Sequence, residues 1–433
     1  MKVDLLYGKS VLTVSCPAKT NVTVIRKPSM PAVDNPGRAV TDAFAQAVGC
    51  DSLQSLAKGS RSACILICDI TRPVPNHVFL RPLIEALIGA GISSENITVL
   101  VATGLHRPNK GDELASVIGD DWVLNNVNVA NHHALNHEDH VDLGFTSRNT
   151  PVGLDRQFVE ADLGIATGLV EPHFMAGYSG GRKVIVPGIA HSDTIRTLHS
   201  ARFMEDPASV QCNLEGNPLH EEQLEIIEIL QRYTGRNLFA LNTVINDERE
   251  LSFVNFSKIV ASHLEAVAFA DQYCKVYTPK RFNTVVTSAA GFPLDQTYYQ
   301  TVKGMVNPMG ILAERANLII ASECAEGLGS PAYRASQERL LVEGPDAFRA
   351  GIINKRLADI DEWETEMQLK SQRRANIKLY TTGLSADERA LTGVEIIESV
   401  DAAIEDSVKA TGDSAIAIIP EGPYVVPTYQ SQF

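Results

Sequence analysis

The sequence predicts an α/β protein of two domains, each built on a mainly parallel sheet. Three observations carry this. Residues 63–68 (ACILIC) and 97–102 (ITVLVA) are continuous apolar runs, the pattern of strands buried on both faces. Amphipathic helical stretches alternate with such runs, as in βαβ units. Each run ends in a polar cluster, DITRP at 69–73 and TGLHRP at 103–108, and open α/β sheets place their ligands beyond the carboxyl ends of their strands.

Taken in order, residues 3–7 and 10–15 alternate around Gly8-Lys9 and predict a hairpin. The Pro-rich stretch 28–36 is loop, followed by short helices at 38–48 and 52–57. After the strand at 63–68 comes a helix at 77–90, stopped by Gly91. Strands at 97–102 and 161–166 complete a set of three, so Arg72, His106 and the Gly168–His173 segment converge on one sheet edge. A helix at 193–200, a long helix at 219–233, a strand at 237–245 and a helix at 257–273 follow. Residues 275–281, with Pro279, read as a linker. A second α/β unit then carries strands at 284–288, 318–321 and 378–380 and a helical stretch at 355–371 with Trp363. The strand at 415–419 is expected to return to the first domain. The division is therefore 1–275, joined by a tail at about 412–433, and 276–411.

Composition bounds the function. The chain has 433 residues, 44% hydrophobic and 21% charged, with a net charge of -14. That balance argues against nucleic acid, which demands surplus Lys and Arg. Seven cysteines form no C-x-x-C pair and read as buried free thiols. No apolar run reaches the length of a membrane span, of roughly 20 residues, and the start MKVDLLYGKSVLTV has no leader pattern. A cytoplasmic enzyme with a small-molecule substrate is the expectation.

The densest chemistry lies in 167–200, which holds His173, His191, His199, Gly177, Gly180, Gly181, Arg182 and Lys183. Glycines admit close approach of backbone to a ligand. Lysine offers a charge or an amine nucleophile, and neutral imidazole is a metal ligand. The stretch therefore reads as a cofactor cradle. It is not a P-loop, because Arg182 separates glycine from lysine and Val184 stands where the hydroxyl is needed. His106 and His173 read as paired general bases. Arg72 suits bidentate carboxylate recognition. On residue types alone, His173, His191 and His199 also admit a three-histidine zinc site of a hydrolase. The tract 131–140, NHHALNHEDH, reads as polar surface. Phe174, Met175, Tyr178, Phe292 and Leu294 are candidate pocket walls.

DITRP at 69–73, ATGLHRP at 102–108, GLVEPHFMAGYSGGRK at 168–183, His199 and YQTVK at 299–303 together resemble the nickel-dependent lactate racemase family, over almost the whole chain. The resemblance implies two α/β domains with the site in the cleft between them. It implies an isomerase of 2-hydroxy acids that removes hydride and returns it through a 2-keto acid. The implied cofactor is a nickel-pincer nucleotide, a pyridinium-3,5-bisthiocarboxylate mononucleotide, bonded to Lys183 and supplied by cofactor-biosynthesis proteins. His199 then corresponds to the nickel ligand, and His106 and His173 to the two catalytic bases. Asp69, Ile70, Thr71 and Arg72 correspond to the segment touching cofactor and substrate, and Gly177, Gly180 and Gly181 to the cofactor loop. Tyr299, Gln300 and Lys303 fall on the substrate side, with Trp363 lining the same pocket. Two further readings stay open at this point: the zinc hydrolase and a non-catalytic carrier of the nucleotide.

Overall fold

Ala63–Cys68 is buried along its length apart from a half-buried Cys68, which is possible only for a strand with neighbours on both edges and layers on both faces. In the computed structural model, which describes residues 1–431, that strand is central. Its sheet runs in the order Leu251–Lys258, Phe239–Ile245, Leu163–Leu169, Ala63–Cys68, Ile97–Ala102, Asn128–Asn131. All neighbours are parallel except the first two. Register sets Ala63 opposite both Ile97 and Leu163, so these three strands finish near one level.

Helices Asn76–Gly89, Pro36–Ala45 and Leu53–Ala57 cover one face. Ile65, Ile67, Val99, Val101, Leu83 and Leu87 are fully buried there, and removing one such leucine side chain costs about 2–5 kcal/mol. The first of these helices along the chain begins two residues earlier than expected. The Asn35 side chain accepts from Arg38 N, and Pro36 occupies the first turn, where its missing N–H is harmless. Pro218–Thr234 is likewise delimited by Asn217 at its start and left-handed Gly235 at its end.

The second sheet has the order Glu395–Ile397, Ala375–Tyr380, Leu312–Ala321, Phe282–Ser288, Ala415–Ile419, Asn21–Val24 and is parallel throughout. The hairpin Lys2–Tyr7/Ser10–Ser15 forms as expected. Its Val3, Leu5, Tyr7 and Val14 pack with Val286, Ile319, Ile416 and Ile418.

The two compact units divide the chain differently from the sequence expectation. One contains Met1–Pro28, His199–Cys212 and the chain from Cys274 onward; the other contains Ser29–Leu198 and Asn213–Tyr273. The division near 275 matches the boundary at Tyr273/Cys274, but the expected membership of the units is corrected. The tail does not return to the first domain: Ala415–Ile419 stays with the second sheet, between Phe282–Ser288 and Asn21–Val24. The segments that change allegiance are Met1–Pro28 and His199–Cys212. The physical reason is that AIAII, buried at every position, needs a strand on each side, and NVTV supplies one. The expected linker at 275–281 also contains a strand, Lys275–Thr278, parallel to Val426–Tyr429. No helix among the described residues is long and apolar enough to cross a membrane.

Candidate active site

The candidate residues fall into two groups, one in each unit. In the unit with the Ala63–Cys68 sheet they sit just past the carboxyl ends of adjacent strands. Asp69, Ile70, Thr71 and Arg72 follow Ala63–Cys68, and His106 follows Ile97–Ala102. Asp69 is 5% exposed. It accepts from the Thr71 hydroxyl at 2.6 Å and from the Thr71 amide at 3.2 Å. Its other oxygen lies 2.6 Å from His106 Nδ1. Burial alone would raise the Asp69 carboxyl, but the hydrogen bond and charge of His106, with Thr71 and Arg72, hold it below the usual carboxylate range. An ionised Asp69 accepts the Nδ1 proton and leaves the Nε2 lone pair outward on a ring whose side chain is 61% exposed. Arg72 does not stand alone. Its guanidinium is paired with Glu171, at the end of the neighbouring strand, with further N–H donors still to offer.

His173 is buried at 6% exposure in a two-residue ladder with Gly177. Its Nδ1 accepts from the amides of Met175 at 3.4 Å and Ala176 at 3.2 Å. The neutral ring in this arrangement carries its proton on Nε2. His106 and His173 thus present opposite faces of the same chemistry, a lone pair and an N–H.

Lys183 lies in the short helix Arg182–Ile185, entered through Gly180 and Gly181. Both glycines have positive φ, and the space a side chain would need is filled by protein. A Cβ at Gly180 would lie 2.5 Å from Val170 Cγ2, and one at Gly181 would lie 2.7 Å from His263 Cβ. The turn is therefore closed by packing against its own fold and is not an open cradle. At Gly177 the blocking atom is the Asn213 carbonyl oxygen. Arg182, expected beside a ligand, is 1% exposed. It donates to His220 Nδ1 at 2.8 Å, Ala176 O at 3.0 Å and Tyr178 O at 3.1 Å, and lies 2.7 Å from His263 Nε2. It is an internal bolt that fixes the backbone on either side of Gly177. Lys183 remains half-buried near Cys68. Burial pushes that thiol up to about 12, against which the Lys183 charge works in the opposite sense.

In the other unit, His199 packs its ring against Trp363 at 4.8 Å between centroids. Trp363 Nε1 donates to the Tyr299 hydroxyl at 3.1 Å. Tyr299 and Gln300 open the helix Tyr298–Val306, capped by Thr297. Gln300 Oε1 is buried with no hydrogen-bond partner among the described residues, a costly arrangement for an amide oxygen. Lys303, one turn on, lies near Glu364. Burial pushes the Glu364 carboxyl up to about 8, with Lys303 pulling the other way. Burial therefore favours the protonated form of Glu364 beside the lysine.

Sequence reasoning missed Glu171 as the Arg72 partner and Glu364 as the neighbour of Lys303. Glu171 stands in the quoted motif, so a charge-pairing argument could have found it. Glu364 sits in EWETEMQ, whose charges mimic a solvated face, and nothing local reveals its burial. The tract 131–140 is not simply polar surface. His132 and His140 are buried, with His132 held by Asp155 at 3.0 Å. The His191 ring packs against His140 and His137 at 5.1 and 5.4 Å. His191 thus belongs to a histidine cluster of its own, and no trio of histidine nitrogens among the described residues gathers closely enough to hold an ion, which leaves the alternative three-histidine zinc site without support. Of the wall candidates, Phe174 stacks on His173. Tyr178 is 1% exposed and donates its hydroxyl to Asp271, so it lines no open surface.

Comparison with known proteins agrees along the chain. The lactate racemase N-terminal domain model matches residues 7–211, and the lactate racemase C-terminal domain model matches residues 278–426. A lactate racemase of Thermoanaerobacterium thermosaccharolyticum is 31% identical, covering 98% of each chain. One of Lactiplantibacillus plantarum is 28% identical, covering 88% of each. The solved lactate racemase apoprotein of T. thermosaccharolyticum superposes with a TM-score of 0.89 at 28% identity, over 99% of this chain and 100% of that one. A Thermotoga maritima protein shares the fold, with a TM-score of 0.67 at 17% identity over 93% of this chain and 100% of its own.

Proposed function

The chain belongs to the lactate racemase family and is an isomerase, and from that premise we propose that it interconverts the enantiomers of lactate or a closely related 2-hydroxy acid with a nickel-pincer nucleotide. The observation that carries the reading is the Asp69–His106 pair, a buried carboxylate fixing the tautomer of an outward-facing imidazole.

The residues fit such a group by their chemistry. Lys183 would hold it through a covalent bond at Nζ, and His199 would ligate the nickel through its imidazole. Gln300 Oε1, buried and unpartnered, is an acceptor awaiting a donor. Asp69, Ile70, Thr71 and Trp363 would line the nucleotide, while Gly177, Gly180 and Gly181 shape the turn that carries Lys183. When bound, the nucleotide supplies an electrophilic pyridinium that takes up hydride, which avoids the carbanion that simple proton abstraction beside a carboxylate would demand.

The chain's own residues do the rest. Arg72 and Lys303 bind the substrate carboxylate. Tyr299, tied to Trp363, and Gln300 orient the 2-hydroxyl end. His106 accepts the hydroxyl proton at Nε2 as C2 becomes planar in the 2-keto acid. After the keto acid turns over, His173, protonated on both nitrogens, delivers its Nε2 proton to the oxygen and keeps the one on Nδ1; in the opposite direction the Nδ1–H form accepts the proton at Nε2. In both directions Nδ1 carries a proton, so the amides of Met175 and Ala176 are released. One histidine thus serves each enantiomer.

The test is a panel of single-enantiomer 2-hydroxy acids, followed for loss of optical purity with enzyme produced alongside the cofactor pathway. Racemisation of a member in deuterium-free water with retention of a C2 deuterium label supports hydride return. Washout of that label, or no racemisation by protein that carries nickel, ends the proposal.

A further inference from the structure

Two of the seven cysteines meet. Cys212 Sγ and Cys274 Sγ are 3.8 Å apart although the residues are 62 positions apart in sequence. Both belong to the unit that contains Met1–Pro28, and each stands at a chain crossing: Cys212 is the last residue before the chain leaves that unit for Asn213–Tyr273, and Cys274 is the first on its return. Their positions are fixed from the same side. Gln211, adjacent to Cys212, donates to the Asn307 carbonyl at 2.7 Å, and Asn307 donates to the Val425 carbonyl at 2.8 Å. Lys275, adjacent to Cys274, pairs with Val426. Both thiols are thus anchored through neighbouring residues, Val425 and Val426. Cys212 is held at φ 57°, a backbone region that residues with side chains seldom adopt.

We propose that Cys212 and Cys274 form a reversible disulfide, a modification site that ties together the two ends of the 213–273 segment. A disulfide bond measures about 2.05 Å, so closure from 3.8 Å asks for roughly 1.8 Å of sulfur travel, within reach of side-chain rotation. Cys212 is half-buried and Cys274 is 5% exposed, which assigns the order of events. A peroxide oxidises the Cys212 thiolate to the sulfenic acid, its O–O bond breaking and one oxygen leaving as water. The Cys274 thiol then attacks that sulfur, and the second oxygen leaves as water. Overall two thiols and one peroxide give one disulfide and two waters. A thiol reductant reverses it by exchange.

This does not depend on the proposed reaction, and its readouts need no turnover. Full-length protein is titrated with hydrogen peroxide and read by intact mass and non-reducing peptide mapping. The expected result is loss of two hydrogen atoms per chain, restored by dithiothreitol, with one cross-linked peptide containing Cys212 and Cys274. Oxidised protein should also resist iodoacetamide at both positions, which tests the wild type without any variant. The melting temperature should rise on oxidation, on the order of 5 °C for a loop of this size. Cys274→Ser should leave Cys212 accumulating sulfenic acid that a dimedone probe traps. Overoxidation of wild-type Cys212 without a cross-link, a disulfide through other cysteines, or iodoacetamide labelling of Cys274 after peroxide treatment overturns the proposal.

Discussion

The carboxylate of Asp69 lies 2.6 Å from Nδ1 of His106, the one buried and the other exposed. This is a relationship between the ends of two adjacent parallel strands, so the sheet itself sets its geometry. Asp69→Asn would replace an acceptor by an amide that can donate to Nδ1 and so drive the proton onto Nε2, where the base is needed. With nickel content and melting temperature unchanged, kcat should fall about 10²–10⁴-fold while KM changes little. A loss confined to KM would show that Asp69 acts on binding alone.

His106→Ala and His173→Ala should each abolish racemisation while still accepting the cofactor. Metal analysis and intact mass report loading, and polarimetry reports turnover. Near-normal turnover by either variant would dismiss the scheme of two proton acceptors.

Protein produced with the cofactor pathway should carry a mass adduct that maps to the peptide containing Lys183. Lys183→Ala should carry none. An adduct on another residue of fully active protein would move the attachment site.

Arg182→Met should unfold far more readily than wild type without reference to any ligand. The substitution leaves the carbonyls of Ala176 and Tyr178 and the rings of His220 and His263 without their donor. Urea denaturation should show a loss of about 3–5 kcal/mol, from several buried acceptors left without a donor and the cavity beside them. A loss under about 1 kcal/mol would mean that water replaces the guanidinium.

Stability should decline as pH rises from about 4.5 to about 8. Burial pushes Glu364 and Glu366 up to about 8, well above the usual carboxylate range. Over that window the folded protein keeps two protons that the unfolded chain releases. Their contribution is complete below the unfolded value and is lost as pH passes the folded one. His220, which burial and the Arg182 charge push down to about 4, works the other way: it contributes stability as pH rises from there towards 6.5 and offsets part of the decline in that range. Urea midpoints should therefore fall more gently below about pH 6.5 than between 6.5 and 8, and Glu366→Gln should flatten the decline.

What the sequence disclosed follows from how local each signal was. The strands Ala63–Cys68, Ile97–Ala102 and Ala415–Ile419 were legible to the residue, because burial on both faces leaves an unbroken apolar run. The polar ends of the first two were legible for the same reason. Asn21–Val24 was not: four residues of mixed polarity at a sheet edge carry no periodicity. Their partner lies far along the chain, so the sequence reading assigned this strand to the wrong unit. The glycines of 177–181 stood out in the sequence, but what surrounds them did not. A glycine needed to clear Val170 or His263 looks, in sequence, like one needed to clear a ligand. Glu364 and Glu366 were invisible as buried groups because charge in a helix ordinarily marks a wet face.

The pairing of Asn21–Val24 with Ala415–Ile419 also bears on how the molecule comes into being. This edge strand must wait, exposed, until nearly 400 further residues have been made before its neighbour exists. Contacts of such long sequence separation are late and slow. The unit made of Ser29–Leu198 and Asn213–Tyr273 can assemble while translation continues, whereas its companion can close only once the last strands emerge.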